Sequence, residues 1–305
     1  VSGADVEWRR FYSDQKISRV SLPVYPFARE RCWVDIPDKQ SMSGSADFGG
    51  IYYELRWRLE PAETNRKKEK TSGAIVVFKN EPPMATGLED ELIKKLRLDG
   101  REVIEITVSR NFHEVDQDKY VIRGTEEDYE RVLTRLKERK ITRIIHMLTV
   151  TKMKEVSTLT ELNESQERGV YSLFYLVRAI LKAGIDQDLE IVLLTNYVHQ
   201  VTGEEERIYP EHAPLIGLGK IVGQEYPQLK CRCIDIDDQI DANLINNLLS
   251  EIETDNSGYA TAYRKGQRYV EEFSAVALAD YPEEKVELKE DGVYIITGGT
   301  GGIGI

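Results

Sequence analysis

Between Tyr52 and Phe273, short apolar runs alternate with stretches that place apolar residues at helical spacing, and this alternation constrains the fold more than any other feature. Ala74–Phe78 and Ile191–Thr195 are apolar without a polar face, as expected of strands covered by helices on both sides. Further strands are predicted at Tyr52–Arg58, Val103–Val108, Tyr120–Ile122, Ile144–Leu148 and Leu229–Ile236. Helices are predicted between them. One carries Leu88, Leu92, Ile93 and Leu96, with Thr86 and Glu89 at capping-box spacing and Gly100 past its end. A second starts at Thr125 and carries Tyr129, Val132, Leu133 and Leu136. Val170–Ala183 is closed by Gly184, Leu215–Glu225 contains glycine, and Leu244, Ile245, Leu248, Leu249 and Ile252 stripe the last helix. Tyr259–Arg264 and Gln267–Phe273 flank Lys265-Gly266 as a hairpin, expected at the sheet edge. Such alternation implies an α/β fold with a mostly parallel, doubly wound sheet.

Outside this pattern the composition changes. Residues 1–40 hold Trp8, Phe11, Tyr12, Tyr25, Phe27 and Trp33 around Pro23 and Pro26. Two prolines favour an extended backbone, and an aromatic strap of this kind needs a neighbouring surface to cover it. Residues 37–50 are small and polar, which predicts a flexible spacer over 41–50. Glu60–Ser72, with Arg66-Lys67-Lys68-Glu69-Lys70, reads as a solvated loop.

Charge and cysteine content narrow the partners. A net charge of −12 argues against nucleic acid, which needs a basic face. No apolar run approaches a membrane span, and Val1-Ser2-Gly3-Ala4-Asp5 lacks the features of a signal peptide. The chain does not open with Met and is expected to be part of something longer. Cys32, Cys231 and Cys233 suit a reducing, cytoplasmic setting, and Cys231-x-Cys233 reads as strand cysteines rather than half of a metal site.

The motif with chemistry in it comes last. After the predicted strand Val293–Ile296 stand Thr297, Gly298, Gly299, Thr300, Gly301, Gly302, Ile303 and Gly304. Glycines there admit positive φ and let backbone amides approach a pyrophosphate, which rests on the N-terminus of the next helix. The sequence ends at Ile305, before such a helix, so the site is expected to be incomplete and no dinucleotide is expected to bind this chain alone. A proton-delivering Tyr-x-x-x-Lys pair occurs at Tyr12/Lys16, Tyr226/Lys230 and Tyr281/Lys285. All three precede the glycine run, and prolines follow Tyr226 and Tyr281, so no catalytic residue is assigned. His146 reads as a packed core residue, and His113, His199 and His212 are scattered. Asp235 and Asp237 end a strand where open sheets gather ligands, but the preferred reading is a polar strand-to-helix loop.

Taken together, these pieces resemble one family. Leu22-Pro23-Val24-Tyr25-Pro26-Phe27-Ala28-Arg29-Glu30-Arg31-Cys32-Trp33 is similar to the linker that follows the ketosynthase/acyltransferase region of modular polyketide synthases, with Cys32 where an aromatic is usual. Tyr53-x-x-x-Trp57, Pro214–Pro227, Asp235 with Asp237, and Tyr263–Val270 resemble the ketoreductase structural subdomain, and Thr297–Gly304 the phosphate loop opening its catalytic subdomain. The resemblance implies residues 1–40 as a strap on an adjacent ketosynthase, 41–50 as spacer, 51–292 as a truncated Rossmann-like, non-catalytic subdomain, and 293–305 as the start of the catalytic one. It further implies NADPH in the complete ketoreductase, a β-ketoacyl chain on an acyl carrier protein, and a module of the trans-acyltransferase kind. Two other functions fit the residues, a stand-alone docking module and an independent nucleotide-binding oxidoreductase.

Overall fold

The computed structural model describes residues 52–61, 72–81, 87–152, 155–185, 188–254, 258–276, 288–295 and 297–298, with Glu7, Arg10 and Ser13 near the N-terminus. The chain divides into two units, Val1–Phe48 and Gly49–Ile305. In the first, Arg10 N donates to Glu7 O and Ser13 Oγ to Arg10 O. The expected strap over residues 1–40 and spacer over 41–50 otherwise lie outside the described residues.

The second unit is built on one ten-stranded sheet. Its strands are β1 (Tyr52–Leu59), β2 (Ala74–Asn80), β3 (Val103–Val108), β4 (His113–Asp116), β5 (Lys119–Ile122), β6 (Ile141–His146), β7 (Leu189–Asn196), β8 (Leu229–Ile236), β9 (Ala260–Arg264) and β10 (Gln267–Val276). Their order is β1-β10-β9-β8-β7-β6-β2-β3-β5-β4. From β5 through β3, β2, β6, β7 and β8 to β9 every pairing is parallel. β4, β10 and β1 add antiparallel flanks, and β1 lies outside β10, so the β9–β10 hairpin is one strand in from the edge at which it was expected. The parallel stretch has the strand order of a Rossmann sheet, with its reversal between β2 and β6.

Helices cover both faces because the strands alternate apolar residues to each. α1 (Leu88–Leu98) and α6 (Ala242–Glu253) pack on the face carrying Ile75, Val77, Val192 and Ile234. α2 (Glu126–Leu136), α4 (Ser172–Ala183) and α5 (Ala213–Glu225) pack on Val76, Phe78, Ile106 and Leu193. A further helix, α3 (Leu159–Gln166), carries a complete Thr158/Glu161 capping box and runs through a π-helical segment, Glu167–Tyr171, into α4. The α5 glycine Gly219 permits a close approach: a Cβ there would collide with the Tyr259 hydroxyl and Leu193.

Several local expectations need correction. The N-cap of α1 is Gly87 in the left-handed region, without a side-chain cap, so the Thr86/Glu89 box is not the start signal. β6 runs Ile141–His146 rather than 144–148, because its pairing with β2 begins at Ala74↔Ile141. The strand expected at Val293–Ile296 is not formed over its described residues 293–295, where Val293 is 94% and Ile295 90% exposed. A strand needs a neighbour's ladder, and neither outermost strand of the sheet pairs with this segment.

Candidate functional site

In an open α/β sheet the binding crevice lies beyond the strand C-termini at the order reversal, here between β2 and β6. A dinucleotide site would place glycines and free N–H groups in the turn from β2 to α1. The sequence joining β2 to α1 is Glu81-Pro82-Pro83-Met84-Ala85-Thr86-Gly87, of which 82–86 lie outside the described residues. Proline has no N–H to offer a phosphate. Behind it, Glu89, Asp90 and Glu91 occupy the first turn of α1 and oppose an anion at that helix end. The strand ends are stitched together instead. Buried Asn80 donates from Nδ2 to Leu148 O at 2.9 Å, and Glu81 N donates to Val108 O at 3.0 Å. The chemistry of this donor set does not fit a bound dinucleotide.

The second glycine-rich turn is only partly described. Gly298 has φ 74°, in the left-handed region that favours glycine, while a Cβ there would meet no atom within 4 Å. Backbone conformation, not crowding, accounts for glycine at this position. Thr297 precedes it; Gly299, Thr300, Gly301, Gly302, Ile303 and Gly304 lie outside the described residues.

A cleft of about 600 Å³ opens near the ends of β2, β3 and β6, lined among others by Asn80, Val108, Arg123, Tyr129, Leu148 and Arg168. Arg123 is engaged by Asp128, whose carboxyl is held below its ordinary value: burial acts upward, but the Arg123 guanidinium and backbone N–H outweigh it. Ser172, also lining this cleft, stands 2.5 Å from His146 Nε2. The pair resembles a nucleophile and its base, but the protons are placed otherwise. The single Ser172 hydroxyl proton faces the carbonyls of Arg168 at 2.7 Å and Gly169 at 2.8 Å, so His146 Nε2–H is the donor toward Oγ. A serine receiving that proton is not activated for attack. Burial lowers the His146 pKa to about 4, which keeps the imidazole neutral in the core.

Asp235 is the hub of a buried clamp. It accepts from Thr195 Oγ1 at 2.7 Å, Val198 N at 3.1 Å and Arg264 Nη2 at 2.5 Å. Asp237 accepts from Lys265 N at 2.6 Å and Gln239 N at 3.2 Å, closing the loop after β8. Both aspartates shape the loop rather than face a ligand. Burial pushes the Cys231 thiol up to about 12 and Cys233 well above its ordinary value, so neither presents a thiolate. Among the described residues no group of three or more His, Cys, Asp or Glu could hold a metal. Tyr226 caps the end of α5 while Lys230 lies in β8, so this Tyr/Lys spacing shares no helical face. Tyr12/Lys16 and Tyr281/Lys285 fall outside the described residues.

Sequence reasoning missed β4, the Ser172–His146 contact and the π-helical segment. The Thr158-x-x-Glu161 capping box was available as a signal for α3; nothing in the sequence marked the other features. No helix among the described residues is long and apolar enough to cross a membrane.

A family model described as beta-ketoacyl synthase-like, N-terminal, matches residues 73–255. The polyketide synthase PksM of Bacillus subtilis is 31% identical over 143 residues, 47% of this chain and 3% of that protein. PksL of the same organism is 23% identical over 323 aligned residues, covering 100% of this chain and 6% of its own length. The chain thus spans a few per cent of these relatives. Among solved structures, the adenylation, ketoreductase and pseudo-Asub multidomain structure of a keto acid-selecting NRPS module superposes with a TM-score of 0.71 at 23% identity, over 83% of this chain and 21% of that one. An N-terminal ketoreductase from the macrolactin assembly line gives a TM-score of 0.65 at 20% identity, over 83% and 49%.

Proposed function

This chain belongs to the beta-ketoacyl synthase-like, N-terminal family, and from that premise we propose that residues 51–292 are the non-catalytic, structural half of a polyketide-synthase ketoreductase. The observation that carries the proposal is the turn after β2. A Rossmann-ordered sheet whose first strand-to-helix turn holds two prolines and a following triad of carboxylates keeps the scaffold of a dinucleotide fold without its phosphate cradle. Solved ketoreductases that share the fold, and relatives named as polyketide synthases, support the assignment.

On this reading residues 293–305 open the catalytic half, with Thr297–Gly304 as its phosphate turn. The exposed Val293 and Ile295 then gain a ladder from that half. NADPH would supply hydride to a β-ketoacyl chain carried on an acyl carrier protein. Residues 1–40 would lie as a strap on the adjacent ketosynthase.

Two measurements test it. Titration of NADPH against the chain, followed by nicotinamide fluorescence, is expected to show no saturable binding at micromolar concentration; saturation would overturn the proposal. Mixing the chain with the catalytic half of a ketoreductase is expected to give a stable complex that reduces a carrier-bound β-ketoacyl substrate. Absence of that complex counts against it.

A further inference from the structure

The two outer strands of the sheet are built differently. β4 has four residues, His-Glu-Val-Asp, and its register against β5 slips between Glu114 and Asp116. Short length, charge and irregularity are how natural sheets blunt an edge. β1 has eight residues, pairs with β10 in unbroken register, and is the last strand on its side among the described residues. It contains neither proline nor lysine, and its charges are paired, Arg56 with Glu54 along the strand and Arg58 with Glu60 and with Glu272 of β10. On one face it presents Tyr53 at 62% exposure and Leu55 at 43%, with Phe273 of β10 beside Leu55 at 71%.

Its free backbone groups can be placed. Glu60 N donates to Arg268 O, so even-numbered residues of this strand turn their N–H and C=O toward β10. Tyr53, Leu55, Trp57 and Leu59 therefore turn theirs outward. An antiparallel partner identical to β1 can use them only in registers centred on a whole residue. Centring on Glu54 sets glutamate against glutamate, and centring on Arg56 sets arginine against arginine. Centring on Leu55 sets Glu54 opposite Arg56 twice, in the non-hydrogen-bonded positions where side chains stand closest, about 4.5 Å between Cα atoms. The same register places Tyr53 across from Trp57 and Tyr52 across from Arg58, both favourable cross-strand pairs. It also joins Phe273, Leu55 and their symmetry mates into one apolar row.

We propose that β1 pairs with β1 of a second copy of this chain, antiparallel about a two-fold axis at Leu55, to form a continuous sheet across a homodimer. This goes beyond the structural-half reading, since it rests on the edge of β1 and not on the turn after β2.

Charge exchange in the intact chain tests it by sedimentation velocity. The wild-type chain is expected to show a concentration-dependent dimer. Glu54→Arg and Arg56→Glu each set like charges opposite one another twice and are expected to weaken dimerisation at least about tenfold. The combined Glu54→Arg/Arg56→Glu chain restores both pairs and is expected to dimerise again, which damage to folding would not imitate. Circular dichroism confirms that each variant is folded. A wild-type chain that stays monomeric overturns the proposal, as does a dimer indifferent to the single exchanges or a double exchange that fails to recover it. NADPH titration is untouched by these variants, so failure here is distinct from failure of the functional reading.

Discussion

In the middle of the sheet, β2, β6 and β7 bury Val76, Phe78, Ile144, Ile191 and Leu193 against α2, α4 and α5, and the contacts are hydrocarbon. At the hairpin end, β9 and β10 bury arginines. Arg268 reaches Glu251 of α6 at 2.9 Å, and Tyr263 and Thr261 donate to the same carboxylate. Arg264 reaches Asp235 at 2.5 Å and Glu205 at 3.1 Å. Both regions are closed to water, yet they respond to change differently. Hydrocarbon contacts lose roughly what is removed plus the cavity left behind. A buried ion loses its main charge compensation when its partner goes.

The largest expected effect comes from breaking one pair at the hairpin. Arg268→Met leaves Glu251 charged and buried, and is expected to cost about 3–5 kcal/mol in urea unfolding. Glu251→Met combined with Arg268→Met is expected to recover most of that loss, because no lone charge remains. A double variant as weak as the single one would show that the charge pair is not the reason. In the middle of the sheet, Leu176→Ala is expected to cost about 2–5 kcal/mol. Because Leu176 is fully buried hydrocarbon, that cost should be the same at every pH where the chain folds.

Acid separates the regions further. Burial lowers His146 from 6.5 to about 4, so its contribution is present above 6.5 and is lost as pH falls toward about 4. Glu205 of the hairpin clamp is held at about 2 against an ordinary 4.5; burial acts upward, but backbone N–H groups, including those of Thr202 and Val201, and Arg264 outweigh it. Its contribution is present above 4.5 and is lost as pH falls from there toward about 2. The unfolding temperature is therefore expected to fall in two windows on acidification. His146→Asn should shrink the upper fall and Glu205→Gln the lower; a single fall unmoved by either would break the comparison. The smallest expected effect is local. Thr125 caps α2 by accepting from Asp128 N, and Thr125→Ala is expected to cost about 1 kcal/mol, with faster hydrogen exchange at that amide.

Much of the fold was legible because hydrophobic periodicity reports burial directly. The stripe Leu88, Leu92, Ile93, Leu96 and the unbroken apolar run of β7 each identified an element and the side or sides it buries. The Lys265-Gly266 turn marked the hairpin through left-handed φ values of 50° and 73°. Less of the candidate site could be read. Pro82-Pro83 was visible, but its meaning depended on learning that β2 is the strand beside the order reversal. Asp235 was read as part of a polar strand-to-helix loop, and only the approach of Arg264 from β9 showed its carboxylate to be committed to the core.

By itself the sequence determined most of the strands and helices, the parallel character of the sheet and the presence of the β9–β10 hairpin, because these follow from spacings within about twenty residues. Only the tertiary structure decided which strand stands at the reversal, which arginine meets which buried carboxylate, and which edge of the sheet is left with free backbone groups. Those outcomes depend on pairs such as Arg268 with Glu60, 208 residues apart, that no local pattern encodes.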